Sequence, residues 1–328
     1  MPELSDCPPW LSEYWLGLQR RRETGSLPHA LLIAGRSGVG KHAFAHFAAA
    51  SLLCRSGLAD GRACGGCEAC AQWAADSCAE FLLVKPEGAS QTIKVDTVRS
   101  MTDWLQLTAN ANSYRIALVE NADRMNRAAA NSLLKTLEEP SASAILILVS
   151  DNPGLLPATV RSRCQQVVLH APLKKTKAYD AAITWLQDQV SDPELMLSQA
   201  RGAPMRAIEL NSADWQATEA QLAKAWQDLF LHRGSVGRIV ESLKEVPCSR
   251  ALRVFAEYSV AASRLNAGSA DESAAAQVAS TVVERIESDK WFTIYDSLVK
   301  LSRIDSASFK TQTVLEGLFA DIRLMVHD

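Results

Sequence analysis

The sequence contains no long hydrophobic run. None of its apolar stretches approaches the roughly 20 residues that a membrane-spanning helix needs. The first residues, among them Glu3 and Asp6, also lack the basic start and apolar stretch of a secretion signal. We therefore expect a cytoplasmic protein. Because thiols stay reduced in that compartment, the eight cysteines are expected to bind a metal or to be buried singly, and not to form disulfides.

A strong charge of either sign is absent as well. The 34 lysines and arginines and the 37 aspartates and glutamates give a formal net charge of −3. This near balance argues against a general electrostatic attraction to nucleic acid, so any contact with DNA is expected to be local or made through partners. The sequence shows no internal repeat, and its six histidines form neither a metal-ligand set nor a partner for a serine nucleophile.

A glycine-rich loop lies between an apolar run, Ala30 to Ala34, and a segment in which Phe44 and Phe47 follow helical spacing. Strand, loop and helix in this order are typical of a phosphate-binding P-loop, whose glycines let backbone N–H groups converge on an anion. Glycines alone would predict only a turn, but their spacing and the lysine favour the P-loop. The candidate nucleotide residues are Gly35, Gly38, Gly40, Lys41 and His42. His42 replaces the Ser or Thr that holds Mg²⁺, so the loop alone does not decide whether a nucleotide binds.

Four cysteines follow this helix within a short polar segment. They are Cys54, Cys64, Cys67 and Cys70. Thiolates two residues apart can point at one tetrahedral ion, and Gly65 and Gly66 permit the tight turn between them. Four thiolates close the coordination sphere, so we predict a structural Zn²⁺ in a module spanning about 54–70. Cys78 is a possible decoy ligand.

A later apolar strand ends at Glu120-Asn121-Ala122-Asp123. At this place P-loop ATPases carry adjacent Asp and Glu residues, which hold Mg²⁺ and orient the attacking water. The amide of Asn121 cannot take a proton from water, and Glu120 carries its carboxylate one methylene further out. Together with His42, these are two independent departures from a hydrolytic site. Glu120 and Asp123 are equally well interpreted as caps of the following helix.

Two further motifs complete an ordered set. They are Asn-Ser-Leu-Leu-Lys-Thr-Leu-Glu-Glu-Pro at 131–140 and Ser-Arg-Cys at 162–164. With the P-loop and the four-cysteine insertion, in this order, the chain resembles the AAA+ subunits of the bacterial DNA polymerase III clamp loader. The resemblance implies an α/β AAA+ P-loop domain with a parallel sheet and a zinc-module insertion, followed by a small helical lid and an all-α C-terminal collar domain.

The resemblance also implies roles for two arginines. Arg163 of Ser-Arg-Cys would reach into the ATP site of a neighbouring subunit as an arginine finger. The segment 200–206 resembles the sensor 2 stretch, in which Gly202 opens a helix and Arg206 can face a bound ATP or ADP. The implied partners are the gamma/tau and delta subunits in a hetero-oligomeric ring, and, through the complex, the sliding clamp and primer-template DNA.

Composition predicts three domains. A P-loop domain at 1–170 ends before a polar hinge, a helical lid occupies 171–211, and an all-helical collar occupies 212–328. The aromatic residues of the last segment follow helical spacing and are predicted to form a core. They include Trp226, Phe255, Tyr258 and Trp291.

Three functions are compatible with these motifs. The first is a non-hydrolysing stator that braces the ring and donates Arg163. The second is a self-sufficient ATPase motor subunit of the gamma/tau kind, which His42 and Asn121 count against. The third is a zinc-dependent DNA-binding module attached to an unrelated P-loop, which the order of the motifs and the acidic balance count against.

Overall fold

A computed structural model describes residues 6–87, 92–107, 114–269, 273–302 and 311–326. The chain forms two compact units, Met1–Ile208 and Glu209–Asp328. The predicted domain boundaries at 170 and 211 stay predictions. Within the described ranges, no helix combines the length and the hydrophobicity that crossing a bilayer requires.

The first unit alternates strands and helices. Its strands are β1 (Ala30–Gly35), β2 (Phe81–Val84), β3 (Arg115–Val119), β4 (Ala144–Ser150) and β5 (Gln165–Leu169). Its helices are α1 (Ser12–Glu23), α2 (Lys41–Leu53), α3 (Glu68–Ala74), α4 (Val95–Gln106), α5 (Arg127–Ser132), α6 (Leu134–Glu138), α7 (Ala158–Arg161), α8 (Lys177–Leu186) and α9 (Pro193–Gln199). Helix α10 (Pro204–Asn211) begins in this unit and ends just after the boundary with the second.

The five strands form one parallel sheet in the order β2-β3-β4-β1-β5. Strand β1 is central, since Ala30 aligns with Leu146 of β4 and Leu31 aligns with Gln165 of β5. Strand β4 is buried along its whole length, which explains why its sequence is one apolar run and does not alternate. This sheet confirms the predicted α/β P-loop fold, with the four-cysteine insertion after α2.

Three short helices follow the sheet. The side chain of Thr176 caps α8 and that of Asp192 caps α9, each by accepting a backbone N–H from the first turn. Gly202, at φ +80°, lies between α9 and α10 in a backbone conformation that favours glycine. The helical character predicted for this segment is confirmed.

The second unit is helical in all its described parts. Its helices are α11 (Ala213–Phe230), α12 (Val236–Ser242), α13 (Cys248–Asn266), α14 (Ala274–Ser280), α15 (Lys290–Ser302) and α16 (Thr311–Met325). Trp226 and Trp291 are fully buried, and the Trp226 ring stacks on that of Phe255 with centroids 5.3 Å apart. The prediction that these aromatic residues form a core is confirmed.

Replacing Gly35 by alanine is expected to destabilise the first unit by about 1–3 kcal/mol. The residue has φ +153°, and a Cβ there would lie 2.4 Å from the carbonyl oxygen of Leu169. The matched control is Gly17→Ala in the middle of α1, where a Cβ meets nothing within 4 Å. That change should stabilise the helix by about 0.5–1 kcal/mol. Thermal unfolding of both variants is the measurement, and equal melting temperatures would contradict the expected close approach of β1 and β5.

Candidate nucleotide, arginine and metal sites

The P-loop joins the end of β1 to the start of α2. Gly38 has φ +80° and Gly40 has φ +103°, so both adopt the left-handed conformation that side chains disfavour. Gly40 is the N-cap of α2, and Lys41 and His42 are its first residues. The structure therefore brings the predicted glycines, the lysine and the histidine together in a strand–loop–helix arrangement that suits an anion.

The ammonium group of Lys41 forms an ion pair within the chain. Its side chain is 1% exposed, and its Nζ lies 2.6 Å from Oδ1 of Asp151, the residue that follows β4. The same Nζ donates a hydrogen bond of 2.7 Å to the carbonyl oxygen of Arg36. A phosphate that approached Lys41 would compete with the Asp151 carboxylate. Asp151 is a partner that sequence reasoning did not identify.

The backbone of the P-loop is also engaged. The N–H of Met205 donates to the carbonyl of Gly38 at 3.0 Å, and the indole of Trp10 donates to the carbonyl of Val39 at 2.8 Å. A Cβ on Gly38 would lie 2.5 Å from Cβ of Arg206. The residue predicted from the sensor 2 resemblance thus lies against the loop, with its Cβ and backbone next to Gly38.

Glu120 follows β3 and lies beside the start of α2. Its Oε1 accepts a 2.7 Å hydrogen bond from Nε2 of His46 and lies 3.7 Å from Nδ1 of His42, while its Oε2 lies 3.3 Å from Nζ of Lys85. Burial raises the pKa of Glu120, but its interactions with His42 and His46 and the charge of Lys85 outweigh this effect. The pKa is therefore held well below its usual range. A Mg²⁺ ion at this carboxylate would have to displace these groups.

His46 was not predicted as part of the site. It lies four residues after His42, so the two imidazoles share one face of α2, and this spacing was the available signal. His46 is 6% exposed.

The interpretation of Glu120 and Asp123 as helix caps is wrong. Helix α5 is capped by the side chain of Asn126, which accepts from the N–H of Ala129, and the preceding turn has no side-chain cap. Oδ1 of Asp123 instead accepts from Oγ of Ser150 at 2.7 Å and thereby holds the end of β4. Asn121, between the two acids, has φ +51°.

Arg163 lies at the opposite end of the strands from the P-loop. It precedes β5, and Leu169 at the end of β5 aligns with Gly35 at the end of β1. Since both strands run in the same direction, Arg163 and the P-loop are separated by about the length of β5, roughly 16 Å. The side chain is 37% exposed.

The four predicted cysteine ligands form one cluster. Cys54 ends α2, Cys70 lies in α3, and Cys64 and Cys67 lie between them; all four sulfur atoms are within 4.8 Å of one another. The sulfurs of Cys54 and Cys67 are 3.8 Å apart, and those of Cys67 and Cys70 are 3.5 Å apart. Four bonds of about 2.3 Å to a tetrahedral Zn²⁺ require sulfurs about 3.8 Å apart. The cluster is positioned to bind a metal ion, and Cys78 is not among its members.

The four thiols divide into two pairs. Hydrogen bonds from backbone N–H groups lower the pKa of Cys64 and Cys67, whereas burial raises the pKa of Cys54 and of Cys70. Burial raises the pKa of Cys67, but N–H groups of Cys70 and Arg55 and the thiols of Cys70 and Cys64 outweigh it, and the pKa falls to about 6. A thiolate is the form of cysteine that binds a metal.

Comparison with known proteins agrees with the motifs. The sequence model of the family described as DNA polymerase III, delta subunit, matches residues 11–172. The DNA polymerase III subunit delta' of Pseudomonas aeruginosa is 32% identical over 262 residues, which are 78% of this chain and 77% of that protein. The subunit delta' of Escherichia coli is 34% identical over 216 residues, 64% of this chain and 63% of that protein.

A more distant similarity involves another subunit. The DNA polymerase III subunit tau of Salmonella typhimurium is 34% identical over 147 residues, which are 45% of this chain but 22% of that protein. The delta' relatives are matched over a much larger share of their length. With its P-loop, its parallel sheet and this similarity to the P. aeruginosa protein, the chain belongs to the family of DNA polymerase III delta' subunits, AAA+ proteins of the clamp loader.

Proposed function

We propose that this chain is a stator of the clamp loader: it braces the ring and donates Arg163 to the ATP site of a neighbouring subunit, while it does not turn over ATP itself. The observation that carries the proposal is the position of Arg163, which is partly exposed before the start of β5, at the opposite end of the strands from the chain's own P-loop. An arginine so placed is suited to act in trans.

The chemistry of the guanidinium supports this role. Arginine stays charged at any physiological pH and offers five N–H donors in a fork that matches phosphate oxygens. Two groups of the chain contact Arg163, the carbonyl of Thr159 and the carboxylate of Glu138. They engage its two terminal nitrogens and leave further N–H donors for a γ-phosphate. Arginine fingers supplied by a partner raise the rate by about 10³–10⁵ in GTPases.

The contacts in the chain's own P-loop support the second half of the proposal. Asp151 neutralises Lys41, and two histidines and a lysine engage Glu120. His42 and Asn121 supply neither the hydroxyl for Mg²⁺ nor the base for water. Binding of ATP or ADP without turnover would use the predicted cradle, Gly35, Gly38, Gly40, Lys41, His42 and Arg206.

The proposed partners are the gamma/tau and delta subunits, in a cytoplasmic hetero-oligomeric ring that loads the sliding clamp onto primed DNA. The four cysteines would hold one structural Zn²⁺, because four thiolates leave no open position for catalysis.

A second candidate is an ATPase motor subunit of the gamma/tau kind. The retained Lys41 and the similarity to a tau subunit favour it. Rapid ATP hydrolysis by the isolated chain, lost in Lys41→Ala, would establish it.

Arg163→Ala is expected to slow ATP hydrolysis by the assembled loader. The loss should be at least the fraction of the total rate that comes from the ATP site facing this chain, because that site loses the positive charge that stabilises its transition state. Arg163→Lys should rescue the loss only in part, since it keeps the charge and loses the fork. Clamp- and DNA-stimulated ATPase of the assembly is the measurement.

Two controls accompany this experiment. Arg55→Ala removes another exposed arginine, and Lys41→Ala removes the charge in the chain's own P-loop; both assemblies should hydrolyse ATP at the wild-type rate. An undiminished rate with Arg163→Ala would refute the proposed finger.

Metal analysis of the purified chain is expected to find one zinc per molecule. Cys67→Ser should lose the metal and lower the melting temperature of the first unit, because the insertion loses its cross-link. Cys78→Ser, which changes a cysteine outside the cluster, should keep both. Finding the same metal content in the two variants would argue against the four-cysteine site.

A further inference from the structure

The guanidinium of Arg163 is held from two sides. One terminal nitrogen donates to the carbonyl oxygen of Thr159 at 3.0 Å, and the other lies 2.5 Å from Oε1 of Glu138. Thr159 belongs to α7, directly before Arg163, whereas Glu138 comes from α6 on a different part of the chain. The second contact is therefore tertiary.

Glu138 has a well-anchored backbone. It is the last residue of α6, and the preceding Leu137 is 4% exposed in the core of the first unit. The carbonyl oxygen of Leu137 is hydrogen-bonded to Nε2 of His29, directly before β1, at 3.1 Å. The backbone next to Glu138 is thus held near the start of the central strand by the hydrogen bond to His29 and by the buried side chain of Leu137.

We propose that Glu138 is a positioning residue of the arginine finger. Its carboxylate and the Thr159 carbonyl hold the guanidinium in one orientation before the neighbouring ATP arrives. This inference rests on the proposed role of Arg163. Holding a long side chain in place beforehand lowers the entropy lost when the transition state forms.

The effect is expected to be modest. Both side chains are partly exposed, at 37% for Arg163 and 52% for Glu138, and water screens such pairs. The carboxylate of Glu138 is negative, as the γ-phosphate is. If Arg163 had to leave Glu138 in order to reach the γ-phosphate, the two groups would compete for the guanidinium. The two roles predict opposite changes when Glu138 is altered, so the sign of the effect separates them.

The test uses the complete assembled loader, with this chain carrying Glu138→Ala or Glu138→Gln. Glu138→Ala should lower the rate at the ATP site that faces this chain about two- to fivefold, with little change in KM for ATP, because the finger acts in the transition state. The kcat of the whole assembly should therefore fall, but by less than it falls with Arg163→Ala. Glu138→Gln should retain most of the rate, since its amide oxygen still accepts from the guanidinium.

The matched control is Glu139→Ala. Glu139 is the exposed neighbour with the same charge, and it forms no ion pair among the described residues. It should leave kcat unchanged. Combining Glu138→Ala with Arg163→Ala should add nothing to the loss caused by Arg163→Ala alone, because the two residues act through one contact. Size-exclusion chromatography of each assembly checks that the variants still join the ring.

An unchanged or increased kcat in Glu138→Ala, in an assembly that Arg163→Ala slows, would overturn the positioning role and leave the finger intact. A wild-type rate in Arg163→Ala would overturn the finger and the positioning role together. An equal loss of rate in Glu139→Ala and Glu138→Ala would also overturn the positioning role. The loss would then come from removing a negative charge near the end of α6, and not from breaking the contact between Glu138 and Arg163.

Discussion

The parallel pairing of β1 with β4 on one side and β5 on the other is the constraint on which both candidate sites of the sheet depend. It brings the P-loop at the end of β1 beside Asp151 at the end of β4. It also places Arg163, which precedes β5, at the other end of the strands. Other parts of the first unit cover both faces of β1 and β4, since these strands are buried along almost their whole length.

Burial explains why the P-loop is bound by its own chain. An ammonium group as enclosed as that of Lys41 is costly unless it is paired, and Asp151 provides the pair. The carboxylate of Glu120 is likewise paired with His46 and Lys85. The indole of Trp10 and the N–H of Met205 donate to carbonyl oxygens of the loop and so help to hold its shape. Such a loop can keep its shape without a bound nucleotide.

The four-cysteine insertion is stabilised in a different way. The segment between α2 and α3 has few apolar residues to bury, so a cross-link through four sulfurs can replace a hydrophobic core. Two contacts anchor the segment to the rest of the unit: the indole of Trp15 donates to the carbonyl of Asp60, and Trp73 of α3 packs on Phe81 of β2. In the second unit, the stacked rings around Trp226 supply a conventional core instead.

The sequence by itself determined what is local in the chain: the glycine-rich turn before α2, the spacing of the four cysteines, the apolar strands and the helical periodicity of the second half. These features depend on neighbours a few residues apart, which the sequence displays directly. Only the tertiary structure decided that Asp151 pairs with Lys41, that His46 and Lys85 meet Glu120, and that Glu138 meets Arg163. Those partners are distant in sequence and meet because strand order and register bring them together, a global outcome of burying β1 and β4 that no short motif encodes.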